Sequence, residues 1–287
     1  MIIMTTNITS LSKIESALLS TLSAEGKNIF TTDDASAVIG KGRTDIRNIL
    51  STLSKKSWIN RIERGKYLIV PLEAGVERKW SEDSFIIASH LIAPYTIAPY
   101  TIAPYTIAYW SALSYWNLTE QMPRTVFVAS THRKFTGQKK IASIPYRFIT
   151  LLPEKFFGIK TIWINNKKVN MTDPEKTIVD CLDHPEYCGG IVEAVKGVWN
   201  GIKDKNIDLK KATGYAARIN NKAVFKRLGY LCEVLGIKTE QSNIWLHNIS
   251  KGYSLLDPTL PDKGNYLRKW RLRCNVDKYN LTEWKEH

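Results

Sequence analysis

Arg43, Thr44, Arg47, Asn48 and Ser51 recur at spacings of three and four in the sequence. That spacing gathers side chains on one side of a helix. Arginine offers two parallel donors to guanine, and asparagine matches the donor and acceptor of adenine, so the chemistry on offer is base reading in a major groove. Farther along stand Arg61, Arg64 and Lys66, around the turn Glu63-Arg64-Gly65. Three cations at a hairpin tip suit phosphate contacts or entry into a minor groove.

Two other groups raise the question of catalysis. Asp173, Glu175 and Lys176 resemble the D…E-x-K carboxylates that hold Mg²⁺ in nucleases, but Glu175 and Lys176 are adjacent rather than alternating along a strand. Acids just ahead of a helix with Pro174 at its first position fit a cap instead. Cys181, Asp183, His184, Glu186 and Cys188 lie within eight residues, yet Pro185 interrupts them and no second Cys/His pair completes a tetrahedron. There is no P-loop, G-x-S-x-G or H-E-x-x-H motif. The expectation is no enzyme, no metal and no cofactor.

The formal net charge is +14 over 287 residues, which suggests a polyanion as partner. Its distribution is uneven. Residues 1–71 carry a surplus of +4, residues 72–123 are at −3, residues 124–168 reach +9 and residues 169–287 return to +4. The dense stretch supplies Arg133, Lys134, Lys139, Lys140, Lys167 and Lys168 as a second basic surface, for DNA, RNA or an acidic protein. Solvated strand ends would look the same.

These residues need elements to place them. Leu11, Ile14, Leu18 and Leu22 form a helical stripe, and Ser12-Lys13-Ile14-Glu15 has the form of a capping box. Thr31 or Thr32 followed by Asp33 and Asp34 starts a second helix, which Gly40 and Gly42 end. Ile46, Leu50 and Leu53 give the base-reading helix its apolar side. The period then changes to two over 58–62 and 66–70. Three helices followed by a two-stranded ribbon predict a winged helix-turn-helix over residues 1–71. A helix-hairpin domain that binds protein fits the same pattern. Residues 72–83 read as a linker.

Residues 84–287 predict a mixed α/β domain with a small sheet and a helical layer, making the whole chain α+β. A helix is expected over 107–118, strands over 125–129, 146–150, 161–164 and 169–171, and a capped helix from Asp173. Residues 209–235 read as mostly helical, with Lys222, Lys226 and Arg227 outside. Residues 266–273 alternate basic and apolar residues as one strand.

From Ser84 to Thr119 the chain has no Asp, Glu, Lys or Arg, a length that could span a bilayer. Pro94, Pro99 and Pro104 would leave repeated gaps in a lone helix, so no membrane span is expected. The prolines belong to a repeat, Ile92-Ala93-Pro94-Tyr95-Thr96, copied at 97–101 and 102–106. It reads as a duplicated loop. No secretory signal pattern opens the sequence, and four cysteines without a C-x-x-C pair suit a reducing cytosol.

The order of these motifs resembles the AbiEi antitoxins of type IV toxin–antitoxin and phage-defence systems. An N-terminal winged domain is followed by the Tyr109-Trp110-Ser111-Ala112-Leu113 helix, by Pro123 with the strand at 125–129, and by a basic segment. Then comes Val169-x-Met171-x-Asp173-Pro174-Glu175-Lys176-Thr177-Ile178-x-Asp180. The likeness runs over about residues 10–240; the pentapeptide repeat and the tail after Leu255 depart from it. The resemblance implies a repressor of its own operon that binds double-stranded DNA, usually at inverted repeats. It also implies antagonism of a nucleotidyltransferase toxin without a stable complex. A metal-dependent nuclease with a winged targeting domain and a protein-binding module are the alternatives.

Overall fold

The computed structural model describes residues 10–75, 77–78, 80–91, 104–132 and 137–286. It divides into two compact units, Met1–Leu91 with Lys140–Ile144, and Ile92–Lys139 with Pro145–His287. The division follows Leu91 rather than Asp83, so the helix at 84–91 falls in the first unit.

The first unit runs α1 (Lys13–Ala24), β1 (Ile29–Thr31), α2 (Thr32–Ile39), α3 (Arg43–Lys55), β2 (Ile59–Glu63), β3 (Lys66–Ile69) and α4 (Ser84–Leu91). Each helix start has a physical cause. Ser12 Oγ accepts from the Glu15 amide at 3.3 Å, and the Ser12 amide donates to Glu15 Oε2 at 2.7 Å. Thr31 and Asp34 make the same reciprocal pair ahead of α2. Gly40 stops α2 in the left-handed region at φ 68°, where a Cβ would be strained. Asp83 Oδ1 accepts from the amides of Phe85 and Ile86 ahead of α4.

Leu18, Leu22, Phe30, Ala35, Ile46, Leu50, Leu53 and Ile59 close the core of this unit. Burying each larger aliphatic or aromatic side chain among them contributes about 1.5–3 kcal/mol. The expected stripe on α1 is shifted. Ile14 is exposed, and Glu15 takes the inner position, where Lys56 Nζ reaches its carboxylate at 2.7 Å. β1 was not expected at all. It pairs antiparallel with β3, which pairs antiparallel with β2, so the sheet order is β1-β3-β2.

After α4 the chain continues with β4 (Tyr105–Ile107), α5 (Tyr109–Tyr115), β5 (Val126–Ser130), β6 (Gln138–Ile141), β7 (Ile144–Thr150), β8 (Ile159–Ile164) and β9 (Lys167–Thr172), all in the second unit except residues 140–144. Then come α6 (Pro174–Asp183), α7 (Ile191–Lys203), α8 (Leu209–Ile219), α9 (Lys222–Leu235), α10 (Gln241–Asn248), β10 (Ser254–Leu255), β11 (Asn265–Leu267) and β12 (Leu272–Cys274). Six strands form one mixed sheet in the order β6-β7-β5-β4-β9-β8. β5 runs parallel to β7 and β4 parallel to β9, while β4–β5 and β8–β9 are antiparallel. A two-residue turn, Asn165-Asn166 with φ of 46° and 60°, joins β8 to β9. The core brings Leu113 of α5, Phe127 of β5, Ile178 and Leu182 of α6, Val195 of α7, Leu228 of α9 and Trp245 of α10 into one cluster. The chain is thus α+β.

Three expectations need correction here. The end of the third repeat copy is strand β4, so the helix expected over 107–118 begins only at Tyr109; residues 92–103 of the repeat lie outside the described residues. Residues 209–235 are mostly helical as expected, in two helices, because Asn220 adopts the left-handed conformation and Asn221 caps the next start. Lys226 and Arg227 are buried, not outside. The tail at 265–274 is a hairpin whose turn carries Trp270, with β12 also pairing parallel to β10. Trp270 lies over Gly229, where a Cβ would stand 2.1 Å from its ring, so α9 needs glycine at that position.

Candidate nucleic-acid interface

α3 is amphipathic in the way the spacing predicts. Ile46, Leu50 and Leu53 are buried, while Arg43, Thr44, Arg47, Asn48 and Ser51 are all exposed. Among the described residues, no acidic side chain pairs with Arg43 or Arg47. Gly42 caps the helix without a side-chain bond. The first amides of α3 and the positive end of its dipole are therefore open to an anion next to Arg43.

The ribbon behaves less uniformly. Arg61 and Arg64 are exposed, and Arg61 Nε donates to the Glu63 carbonyl at 3.3 Å. Lys66 is buried. Its ammonium donates to the His90 carbonyl at 2.5 Å and lies 3.8 Å from Glu63 Oε2. It ties α4 to the ribbon and is not available to a ligand, which removes it from the expected contact set. Residues 72–83 are likewise more than a spacer. The guanidinium of Arg78 lies 3.2 Å over the Trp58 ring, and burial lowers its pKa. Nothing in the sequence marked that stack.

The residues of the second basic set that can be placed stand on two different strands. Arg133 and Lys134 lie outside the described residues. Lys139 and Lys140 stand on β6 at one edge of the sheet, and Lys167 and Lys168 on β9 beside the opposite edge. Three strands intervene, a separation of roughly 19 Å at the usual strand spacing. That is about twice the screening length at physiological salt. Trp163, the cross-strand neighbour of Lys168, is 64% exposed beside it.

The acids suspected of holding Mg²⁺ are engaged. Asp173 caps α6 through its Oδ1, and its Oδ2 accepts from Tyr215 at 3.0 Å and from Lys211 at 2.9 Å. Glu175 accepts from Lys211 at 2.8 Å and from the Asp208 amide at 3.1 Å. Burial alone would lower the Lys211 ammonium, but its bonds to Asp173 and Glu175 hold it above the ordinary lysine range. Lys176 points elsewhere, into a buried ion pair with Asp180. Among the described residues no three His, Cys, Asp or Glu side chains are placed to hold a metal ion. Cys181 and Cys188 are both buried, and burial pushes the Cys181 thiol well up, away from a nucleophilic thiolate. Lys211 and Tyr215 were missed in the sequence; they join through the packing of α6 against α8, with no local motif.

An α+β chain of two units, with an exposed basic helix in the first, is what these elements define. No protein-family model and no curated protein matches the chain. Among solved structures it is similar to that of the RV2827C protein from Mycobacterium tuberculosis. The TM-score is 0.69 at 12% identity, covering 97% of this chain and 96% of that one. At that identity the likeness shows a shared fold. No helix among the described residues is long and apolar enough to cross a membrane.

Proposed function

We propose that the protein is a cytoplasmic DNA-binding regulator that represses its own operon and acts as the antitoxin of a type IV pair. The observation that carries the DNA reading is α3: two arginines with no acidic partner among the described residues, an asparagine and two hydroxyls on the exposed side of a helix whose opposite side, Ile46, Leu50 and Leu53, is buried. The element order α1-β1-α2-α3-β2-β3 and the sheet order β1-β3-β2 support calling this unit a winged helix. In this reading α3 enters the major groove. Arg43, Thr44, Arg47, Asn48 and Ser51 meet base edges or flanking phosphates, and Arg61 and Arg64 hold the backbone beside it.

The antitoxin half rests on the motif order from Tyr109 to Asp180 and its resemblance to AbiEi proteins. It puts a nucleotidyltransferase toxin in the adjacent gene and inverted repeats in the operator. No catalytic role is assigned, because Asp173 and Glu175 are held by Lys211 and Tyr215.

Gel shift with the DNA upstream of the gene tests the regulator. The expected result is sequence-specific binding that Arg43→Ala with Arg47→Ala abolishes. Specific binding that survives both changes would overturn the helix assignment. Co-expression with the adjacent gene's product tests the antitoxin: growth arrest by that product alone, relieved by this chain, is expected. A Mg²⁺-dependent cleavage of nucleic acid lost in Glu175→Ala would favour the nuclease instead.

A further inference from the structure

The two buried cations of α9 have a common target. Lys226 Nζ donates to the Gly252 carbonyl at 2.6 Å and to Ser254 Oγ at 3.0 Å. Arg227 donates to the carbonyls of Leu255 and Leu256, both at 3.1 Å, while its other arm holds the Leu182 carbonyl at 2.6 Å. The backbone from Gly252 to Leu256 is thereby fixed to the core.

What this fixed strand displays is Tyr253, 40% exposed. Across the small sheet, Tyr266 of β11 is opposite Arg273 of β12 and is 57% exposed. The two phenol rings meet edge to face with centroids 4.8 Å apart. Arg271 lies 5.7 Å from the Tyr253 ring and Arg273 5.2 Å from the Tyr266 ring. Asp262 neutralises Arg273 at 2.6 Å. Arg268 and Arg271 are exposed and have no acidic partner among the described residues.

We propose that this tyrosine–arginine platform binds a single strand of nucleic acid. Unpaired bases stack on Tyr253 and Tyr266, and Arg268 and Arg271 take the neighbouring phosphates. Exposed aromatic rings interleaved with cations are the chemistry of single-strand binding, in which every base offers a ring face and sequence matters little. A duplex keeps its base faces stacked and would use the arginines alone. An acidic protein surface would engage rings and arginines alike, and oligonucleotide binding that depends on both rings is what separates the two. The platform is separate in residues and in ligand from α3, so either reading can fail without the other.

The test uses the full-length protein and fluorescently labelled oligo(U) and oligo(dT) of about 12 nucleotides, within the span of such platforms. A duplex of unrelated sequence and phosphatidylglycerol vesicles serve as competitors. The expected result is binding to the single strands that the duplex and vesicles displace poorly. Preference for oligo(U) or oligo(dT) identifies RNA or DNA as the source.

Tyr253→Ala with Tyr266→Ala should weaken binding about tenfold or more, and Tyr→Phe at both positions should restore it, because the ring rather than the hydroxyl stacks. Arg268→Ala with Arg271→Ala should cut the slope of log affinity against log salt by about 0.7 for each cation lost. This exposed pair carries the test if the tyrosine variant shifts the unfolding midpoint. No binding of either oligonucleotide at low salt, unchanged binding by a folded double-alanine variant, or equal displacement by duplex or vesicles would overturn the proposal.

Discussion

α3 and α9 look alike in sequence and do opposite things. Each is a helix of 13 or 14 residues with an apolar side and two closely spaced cations elsewhere on it. On α3 the cations Arg43 and Arg47 stay in solvent with no acidic partner among the described residues. On α9 the cations Lys226 and Arg227 are 1% and 4% exposed, and they donate to the chain's own carbonyls and to a serine hydroxyl. The cause is the number of neighbours. α3 has solvent on one whole side, whereas α9 packs among α6, α7, α8 and α10. A cation marks a ligand surface only when the fold has not already used its donors, and charge counting cannot make that distinction.

The comparison breaks most severely at Arg227. Arg227→Met leaves the carbonyls of Leu182, Leu255 and Leu256 buried without their donor. The expected loss of stability is about 3–5 kcal/mol, read from the urea unfolding midpoint. A loss below about 1 kcal/mol, the scale of an ordinary surface change, would show that water replaces the arginine and that its burial is not what holds the tail.

Arg43→Ala with Arg47→Ala is the converse. Stability should stay within about 0.5 kcal/mol of the parent, since nothing in the core depends on either side chain. Operator affinity should fall by about 1–3 kcal/mol for each base contact removed, measured by fluorescence anisotropy. A destabilised variant with intact DNA binding would reverse the roles assigned to the two helices.

A milder contrast lies within one ribbon. Lys66→Met removes a buried donor from the His90 carbonyl and should cost about 1–3 kcal/mol of stability while leaving operator affinity of the folded protein unchanged. Arg64→Ala, on the exposed turn, should leave stability alone and cut the slope of log affinity against log salt by about 0.9. Equal effects of the two on the salt slope would return Lys66 to the DNA surface.

What could be read in advance follows the same division. Local signals were legible: the Ser12–Glu15 and Thr31–Asp34 boxes, the Ile46-Leu50-Leu53 stripe, the period-two runs of β2 and β3, and Asp173 ahead of Pro174. Each depends on residues within a few positions of one another. β1 was not legible, because its three residues become a strand only by pairing with β3 over thirty positions later. β4 lay hidden in a repeat whose period of five matches neither element. The break at Asn220-Asn221 and the hairpin around Trp270 were overrun by continuous apolar patterns. Lysine and arginine default to the surface, so the burial of Lys66, Lys226 and Arg227 had no sequence signal. The split of Lys139 and Lys140 from Lys167 and Lys168 is a matter of strand order, which a linear charge count cannot carry. The exposed side of α3 was legible because a single helical period fixes which residues stand opposite Ile46, Leu50 and Leu53.

The smallest effect concerns acids rather than cations, and it separates the two units by pH. Burial alone would raise the Glu15 carboxyl, but bonds from Lys56 and from the Ser12 amide and hydroxyl outweigh it and hold the group below its ordinary value. For Asp34, burial again works upward, and the Thr31 hydroxyl and amide together with Lys27 bring the group down. A folded value below the unfolded one means that the fold prefers the carboxylate. The stabilisation is therefore complete above the ordinary carboxylate range near about pH 4, and it is lost as pH falls through the lower folded values. Glu15→Gln with Asp34→Asn should cost about 1–2 kcal/mol at neutral pH, the usual worth of helix caps. The gap between variant and parent should close as the pH drops below about 4, because the parent's carboxylates are then protonated as well. In the second unit, Asp180 moves the other way: burial raises it, and Lys176 only partly offsets that. A folded value above the unfolded one acts in the opposite direction as pH falls. Thermal melts of parent and variant across this range check the sign, and a gap that stays constant with pH would mean the two caps work through shape alone and not through charge.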